Sequence, residues 1–209
     1  MTTTAAKAYD AIRQMIMLGA VGGGDRITEL DLAAELRISR TPVREALRQL
    51  VEDRWLEYLP NRGVKVRQWD KKDVRDNFQV RTILEREAAR MAAGNISQEA
   101  IGHLGVLNAQ LRAMYTLGTI EAVKQMAQLN LEFHKTIWQS SGNGILNEIL
   151  LKNINVPTMV NTYKHYDAGK ALSSFDEHDG MIACFVARDG EKAMRIMEGH
   201  LTRAAEIYK

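Results

Sequence analysis

The sequence predicts a mostly α-helical protein, with an N-terminal winged helix-turn-helix followed by an all-α antiparallel helical bundle. Residues 1–68 contain three short helical patterns and then two β-prone runs, whereas residues 69–209 contain only helical patterns. A chain of 209 residues is also long enough to build two small domains, each with its own core. We therefore expect one domain over 1–68 and a second over 69–209.

Three helices are predicted in the first domain. The first covers residues 5–18, where apolar side chains recur at helical spacing, and it ends before a run of glycines. Thr28 is placed to cap the second helix, which runs to Leu36. The third helix begins at Thr41 and Pro42, because threonine is a suitable cap and proline at the first helical position loses no hydrogen bond.

A β-hairpin is predicted to follow the third helix. The runs 55–59 and 64–67 are β-prone, and residues 60–63, Pro-Asn-Arg-Gly, form a turn between them. Beyond residue 69 we predict six helices, because apolar residues recur at helical spacing and glycine-containing breaks separate the segments. These helices cover 71–93, 97–116, 119–141, 144–165, 173–188 and 190–208.

The composition is typical of a soluble globular protein. Hydrophobic residues make up 45% of the chain and charged residues 26%, and no apolar run reaches the roughly 18 residues that a membrane span requires. The single cysteine, Cys184, has no partner for an intramolecular disulfide, and the N-terminus lacks the pattern of a secretory signal. We therefore expect a cytoplasmic protein without a membrane partner.

The local charge pattern indicates nucleic-acid binding more clearly than the net charge of +2 does. Arg40, Arg44 and Arg48 are four residues apart, so they lie one above another on the helix face opposite Leu47 and Leu50. Guanidinium groups match phosphate oxygens and also the O6/N7 edge of guanine. A charged helix face by itself is more often simply solvated, but an arginine-bearing helix followed by a hairpin favours a DNA-reading module.

The motif around this helix resembles the N-terminal domain of the GntR family of transcriptional regulators. The matching runs are 39–47, Ser-Arg-Thr-Pro-Val-Arg-Glu-Ala-Leu, and 61–66, Asn-Arg-Gly-Val-Lys-Val. The resemblance implies a homodimer that binds a palindromic operator in double-stranded DNA. It also implies a set of DNA contacts with three roles. In that set, Arg40 and Arg44 read base edges, Ser39, Thr41 and Arg48 hold phosphates, and Arg62 with Gly63 enters the minor groove.

The chain departs from the family pattern at three positions. Glycine is usual where this chain has Arg37 and Arg54, and proline is usual where it has Gly23. The two arginines stand at helix ends, where glycine adopts a left-handed conformation at little cost. Arginine at these positions indicates local strain or a different helix cap.

Three of the five histidines are predicted to face the core of the second domain. His134, His178 and His200 fall on the apolar stripes of three different helices, and Asn130 precedes His134 by one turn. A single inward histidine is more often a hydrogen-bonded core residue. Three imidazoles that converge make a nitrogen-rich site suited to a divalent metal such as zinc or nickel.

The same layout resembles the effector-binding FCD domain of the FadR-type branch of GntR regulators. In metal-binding members of that branch, one Asp and three His hold a metal at the base of a ligand cavity. By this resemblance, Asn130, His134, His178 and His200 form the metal set. Asn130 stands at the Asp position, so this set has one anionic ligand fewer.

Arg81 is predicted to point toward the core of the second domain, because it shares a helix face with Val74, Phe78 and Ala88. A buried guanidinium without a partner would be costly. One interpretation is a structural ion pair with Glu85, four residues on. The other is a clamp for a carboxylate ligand, because in the resembling family an arginine at the matching position often binds an acidic effector.

These observations favour a DNA-binding transcriptional regulator whose operator affinity is modulated by a small carboxylate effector, with or without a metal. The alternative is a metal-dependent, hydrolase-like enzyme with an attached DNA-binding domain, since a three-histidine metal can activate water. The inner stripes show no obvious carboxylate for a general base, so we do not expect an enzyme. An architectural DNA-binding protein without an effector is a third hypothesis, but it would not require inward polar groups.

Overall fold

The structure is a computed structural model, and it describes residues 3–17, 19–59, 62–153, 162–163 and 165–208. The chain divides into two compact units, Met1–Asp70 and Lys71–Lys209. The first unit combines three helices with a small sheet, and the described elements of the second are all helices. The predicted fold class is confirmed.

The first unit contains three short helices and three short strands. Their bounds are α1 Thr4–Met17, β1 Arg26–Ile27, α2 Glu29–Leu36, α3 Arg40–Glu52, β2 Leu56–Leu59 and β3 Gly63–Val66. The strands form one antiparallel sheet in the order β1-β3-β2. The hairpin of β2 and β3 was predicted, whereas β1 has only two residues and is too short to show an alternating pattern. The predicted turn residues Pro60 and Asn61 lie outside the described residues.

The two sides of α3 differ as predicted. Val43, Ala46, Leu47 and Leu50 are buried in a core that they share with Ile12 of α1. Packing against α1 therefore fixes which side of α3 remains exposed.

Helix starts in this unit follow the predicted caps only in part. The Thr28 hydroxyl accepts a hydrogen bond from the Asp31 amide at 3.2 Å, so Thr28 caps α2 as expected. The prediction that Thr41 caps α3 is wrong, because the helix begins at Arg40 with Ser39 as its cap residue. Pro42 is consequently the third helical residue. Its missing amide hydrogen still costs nothing, since first-turn amides have no partner within a helix.

The two arginines at family glycine positions adopt the left-handed conformation. Arg37 ends α2 with φ 54°, and Arg54 has φ 61° just after α3. For a residue other than glycine, this backbone conformation is less stable by about 1–2 kcal/mol. The expectation of local strain at these positions is therefore confirmed. Arg188 has φ 57° as well, but its guanidinium donates to the carbonyls of Ala93 and Ile96.

Six α-helices of the second unit have described bounds. Their bounds are α4 Lys71–Asn95, α5 Gln98–Tyr115, α6 Ile120–Ser140, α7 Gly144–Lys152, α8 Ala168–Ala187 and α9 Gly190–Ala205, with a 3-10 helix over Glu206–Tyr208. The predicted helix over 144–165 is too long, because α7 ends at Lys152 and Asn153 follows it as a turn. The remainder of that prediction lies partly in 154–161 and 164, outside the described residues. Helix α8 begins five residues earlier than expected, since Asp167 caps it.

The helices of the second unit enclose an aromatic core with polar residues at its centre. Helix α4 packs against α6, α8 and α9, and α5 packs against α6 and α8. Phe133, Trp138, Phe175 and Phe185 are buried among these helices. Helices α4, α6, α8 and α9 therefore bring side chains from distant parts of the sequence into one interior. Among the described helices, none is long and apolar enough to cross a membrane.

Candidate functional site

The exposed side of α3 carries the arginines predicted to contact DNA. Arg40, Arg44 and Arg48 are all exposed, and Ser39 and Thr41 are exposed at the start of the helix. Three guanidinium groups and a helix N-terminus therefore lie on one accessible helix. Such a surface can bind phosphate and can also present donors to base edges.

A single carboxylate, that of Glu29, holds two of these arginines. Arg44 donates to Glu29 through Nε at 2.8 Å and through Nη2 at 2.9 Å, and Arg40 donates through Nη2 at 3.0 Å. These hydrogen bonds, first from Arg44 and then from Arg40, lower the pKa of Glu29 to about 2. This contact was not predicted from the sequence. The only available signal was an acidic residue in the first turn of α2, which helix capping explains equally well.

The wing places Arg62 and Gly63 at the start of β3. The Arg62 side chain is exposed, and its carbonyl oxygen accepts a hydrogen bond from Nε of Arg26 at 2.6 Å. Gly63 has φ 87°, and a Cβ added there would lie 2.9 Å from the carbonyl oxygen of Ile27. Glycine at 63 is therefore required by the close approach of β1, independently of any role at DNA.

In the second unit, the structure brings the three predicted histidines together. His134 on α6, His178 on α8 and His200 on α9 are all buried, and one ligand atom from each lies within 4.8 Å of the others. The ring of His178 also stacks on Phe133, with centroids 4.0 Å apart. The prediction that helical stripes from three separate helices converge is thus correct for the imidazoles.

Each imidazole is oriented by an oxygen acceptor at its Nδ1 atom. Glu85 accepts from His134 at 2.6 Å, Asn108 accepts from His178 at 3.1 Å, and Glu177 accepts from His200 at 2.9 Å. An Nδ1–H that donates leaves the Nε2 lone pair available for another group. This is the usual arrangement of histidines that bind metals.

The surroundings of His134 and His178 leave their Nε2 atoms available to a ligand. Nε2 of His134 and Nε2 of His178 are buried and have no hydrogen-bond partner within the described part of the chain. Burial lowers the pKa of His134, lowers that of His178 well below its usual value, and lowers that of His200 to about 4. The three rings are therefore neutral at physiological pH, which is the form that binds metal ions.

Asn130 offers an oxygen next to this cluster. It lies one turn before His134 on α6 and is 7% exposed. Its Oδ1 atom is buried, and the described residues supply no donor to it. A buried amide oxygen without a donor is costly unless something else binds it. Three imidazole nitrogens and an amide oxygen make a donor set that a zinc or nickel ion would fit.

The Glu85 carboxylate joins the histidine cluster to Arg81. It is fully buried, and it accepts from Arg81 Nε at 2.8 Å and from Trp138 Nε1 at 3.0 Å in addition to His134. Burial alone would raise the pKa of Glu85, but Arg81, His134 and Trp138 lower it to about 2. The structural ion pair expected between Arg81 and Glu85 is therefore present.

A cavity reaches this polar cluster. Its empty volume is about 330 Å³, including space open to solvent, and its polar lining includes Arg81, Asn130, His134 and His200. Phe78 and Tyr163 supply part of the apolar lining, and the guanidinium of Arg81 lies 5.3 Å from the ring centroid of Phe78. Its polar lining offers hydrogen-bond donors and a positive charge, which suit an anionic group.

No obvious carboxylate for a general base was found on the inner stripes, yet the structure places two carboxylates beside the histidines. Glu85 and Glu177 both contact imidazole rings, and Asn108 holds the third. Glu85 was predicted only as a partner for Arg81, and no role was predicted for Glu177. Helical periodicity shows which face of a helix is buried, but it does not show which helices meet there.

Comparison with known sequences identifies two families along the chain. The sequence model described as "Bacterial regulatory proteins, gntR family" matches residues 4–66, and the FCD domain model matches residues 76–203. The second match alone covers more than half of the chain.

Individual relatives are transcriptional regulators as well. The chain is 28% identical over 181 residues to the Nta operon transcriptional regulator of Aminobacter aminovorans, covering 86% of this chain and 82% of that protein. It is 31% identical over 154 residues to a probable D-xylose utilization operon transcriptional repressor of Paenarthrobacter nicotinovorans, covering 69% and 62%.

A solved structure shares the fold over the full length. Escherichia coli McbR/YncC has a TM-score of 0.85 and 23% identity, covering 100% of this chain and 98% of that one. The matched families and these relatives are regulators and not enzymes, so the hydrolase alternative finds no support. The chain belongs to the GntR family of bacterial transcriptional regulators, and it carries the FCD domain as its second domain.

Proposed function

We propose that this GntR-family regulator binds a palindromic operator as a homodimer and that a small carboxylate bound in the FCD cavity sets its operator affinity. A divalent metal, zinc or nickel, is part of the proposed effector site. One observation carries the proposal: a guanidinium, two of the clustered imidazoles and an amide oxygen that receives no donor from the described residues line the same cavity.

The proposed reading of DNA rests on the exposed face of α3. Arg40 and Arg44 read base edges, while Ser39, Thr41 and Arg48 hold phosphates and Arg62 at the wing enters the minor groove. The support is chemical and geometric, since these side chains are exposed while the other face of α3 is buried. A single reader of this kind contacts one half-site, so two copies are needed for a palindrome.

Exposed apolar residues on α4 and α7 support the proposed homodimer. Asn77 on α4 donates to the carbonyl oxygen of Asn153, so α7 ends beside α4. Four large apolar residues on these two helices are exposed to solvent: Val80, Ile83, Ile145 and Ile149. Exposed apolar residues on neighbouring helices are typical of a surface covered by another protein, and a second copy of the chain is the occupant that a palindromic operator requires.

The proposed metal would be held by His134, His178 and His200, with Asn130 supplying an oxygen. When bound, a dication would supply positive charge and an open position for an effector carboxylate. Glu85, Asn108 and Glu177 would keep the imidazole rings in place and fix their tautomers.

Arg81 is the proposed anchor for the carboxylate of the effector. It is 5% exposed and lines the cavity, and it contacts Glu85 through Nε. A guanidinium has five N–H donors, so one bond to Glu85 leaves donors for a second carboxylate. The Arg81–Glu85 ion pair and ligand binding are therefore compatible roles.

Replacing Arg44 with alanine is expected to weaken operator binding by about 1–3 kcal/mol and to relax preference at one base pair. The reason is that a bidentate base contact is lost. The matched control is Arg48→Ala, which removes a proposed phosphate contact from the same helix and should weaken all duplexes equally. Fluorescence anisotropy would measure both variants on a duplex selected from a random library by the parent protein, and on its scrambled version. An equal loss on the two duplexes for Arg44→Ala would show that it contacts only phosphate.

Replacing Arg81 with lysine is expected to abolish release from DNA by a carboxylate effector while leaving operator affinity nearly unchanged. Lysine keeps the positive charge beside the buried Glu85, but it lacks the planar fork that binds a carboxylate with two hydrogen bonds. Thermal shift and operator release would be measured with a panel of dicarboxylates and hydroxy acids. Arg86→Lys is the control, because Arg86 is on the same helix and pairs with Glu198 instead. If the Arg81→Lys variant responds like the parent, Arg81 belongs to the scaffold alone.

Adding zinc or nickel to chelator-treated protein at pH 8 is expected to raise the melting temperature, because the ion would cross-link three helices. His178→Ala should remove this shift, and His103→Ala should not, since His103 is exposed on α5 and lies outside the cluster. Asn130→Asp should tighten binding by adding an anionic ligand. Elemental analysis would give the stoichiometry. No bound metal after reconstitution, with unchanged melting, would leave the four residues as a polar cavity that binds its ligand directly.

A further inference from the structure

Both arginines proposed to read base edges are already bound by the carboxylate of Glu29. Arg44 uses Nε and Nη2, which is the bidentate fork–fork geometry, and Arg40 adds a third hydrogen bond to the same carboxylate. Arg48, the proposed phosphate contact one turn further along α3, has no ion pair to Glu29 among the described contacts. The Glu29 carboxylate therefore binds the two proposed base readers and not the proposed phosphate contact beside them.

The position of Glu29 is fixed by the start of α2. It is the first helical residue after the cap Thr28, whose hydroxyl contacts both the amide and the carboxylate of Asp31. Helix α2 packs against α3, so it brings Glu29 to arginines that lie 11 and 15 residues further along the chain. The Glu29 side chain is only 27% exposed, whereas those of Arg40 and Arg44 are about 60% exposed. Glu29 is thus a supporting residue behind two accessible guanidinium groups.

This arrangement has two physical consequences for DNA binding. First, a bidentate carboxylate takes two of the five N–H donors of Arg44 and fixes the plane of the guanidinium, which leaves the other donors pointing in one direction. Second, the negative charge offsets part of the positive charge on α3, which weakens attraction to phosphates in any sequence. A fixed guanidinium strengthens binding only where a matching base lies within reach. The compensating charge of Glu29 weakens binding to every DNA sequence equally.

We propose that Glu29 determines operator specificity, by orienting Arg44 and Arg40 toward base edges and by lowering the affinity of the reader for non-operator DNA. The inference rests on the proposed function, because it takes Arg40 and Arg44 as base readers. It adds a residue that need not touch DNA itself. Glu29 is therefore a positioning residue, and its removal should affect discrimination more than binding.

The test uses the full chain with Glu29→Gln, measured on the library-selected duplex and on its scrambled version over a range of salt concentrations. Affinity for the scrambled duplex should rise severalfold, and its salt dependence should steepen by about one unit of log–log slope, because a compensating charge is lost. The ratio of selected to scrambled affinity should fall about tenfold, since the fork of Arg44 is no longer fixed. Glu35→Gln is the matched control, because Glu35 is an exposed glutamate on α2, and it should leave the ratio unchanged.

A second variant separates charge from orientation. Glu29→Asp keeps the negative charge on a side chain that is one methylene shorter, so it should keep the weak binding to scrambled DNA but lose part of the discrimination. Circular dichroism melting would confirm that each variant is folded before its affinities are compared.

A Glu29→Gln variant with an unchanged or increased affinity ratio would overturn the proposal, even if its binding to all DNA rises. A separate measurement would show whether the proposed base-reading role is itself wrong. In that case Arg44→Ala, with Glu29 intact, would retain the preference for the selected duplex. The two results are independent, so each idea can be rejected without the other.

Discussion

A carboxylate buried in a protein interior must be matched by donors or positive charge, and the second unit is organised around that requirement. Glu85 is fully buried, and it receives hydrogen bonds from Arg81 on its own helix and from His134 and Trp138 on α6. Removing Arg81 would leave a buried charge unpaired, which is among the most costly defects in a core, and removing either neutral donor would leave the carboxylate with one hydrogen bond fewer. The packing of α4 against α6 and the geometry of the polar centre therefore depend on this one group.

The same contact connects the two halves of the proposed effector site. Through one oxygen Glu85 holds Arg81, the proposed carboxylate anchor, and through the other it orients His134, a proposed metal ligand. The reading helix repeats this chemistry at the surface, where Glu29 holds Arg40 and Arg44. In both units a glutamate fixes the direction of groups that are placed to bind something else.

The sequence predicts the elements and several inward-facing residues, but not the contacts between helices. Periodicity placed His134, His178 and His200 on buried stripes because an apolar face interrupted by a polar residue is visible locally. The acceptors Asn108 and Glu177 were missed, since their roles depend on which helices pack together. The start of α8 and the cap of α3 were misplaced because several polar residues near each boundary are equally good caps by type.

The central role of Glu85 is tested most directly by the opening free energy of α6, measured by amide hydrogen exchange on metal-stripped protein at pH 7. We compare Glu85→Gln with Glu87→Gln, a partly exposed position on the same helix. Glu85→Gln should lower this free energy by roughly 3–5 kcal/mol, because the charge of Arg81 loses its buried partner. Glu87→Gln should change it by less than about 0.5 kcal/mol. If both substitutions lower the opening free energy by the same small amount, the polar centre does not depend on Glu85.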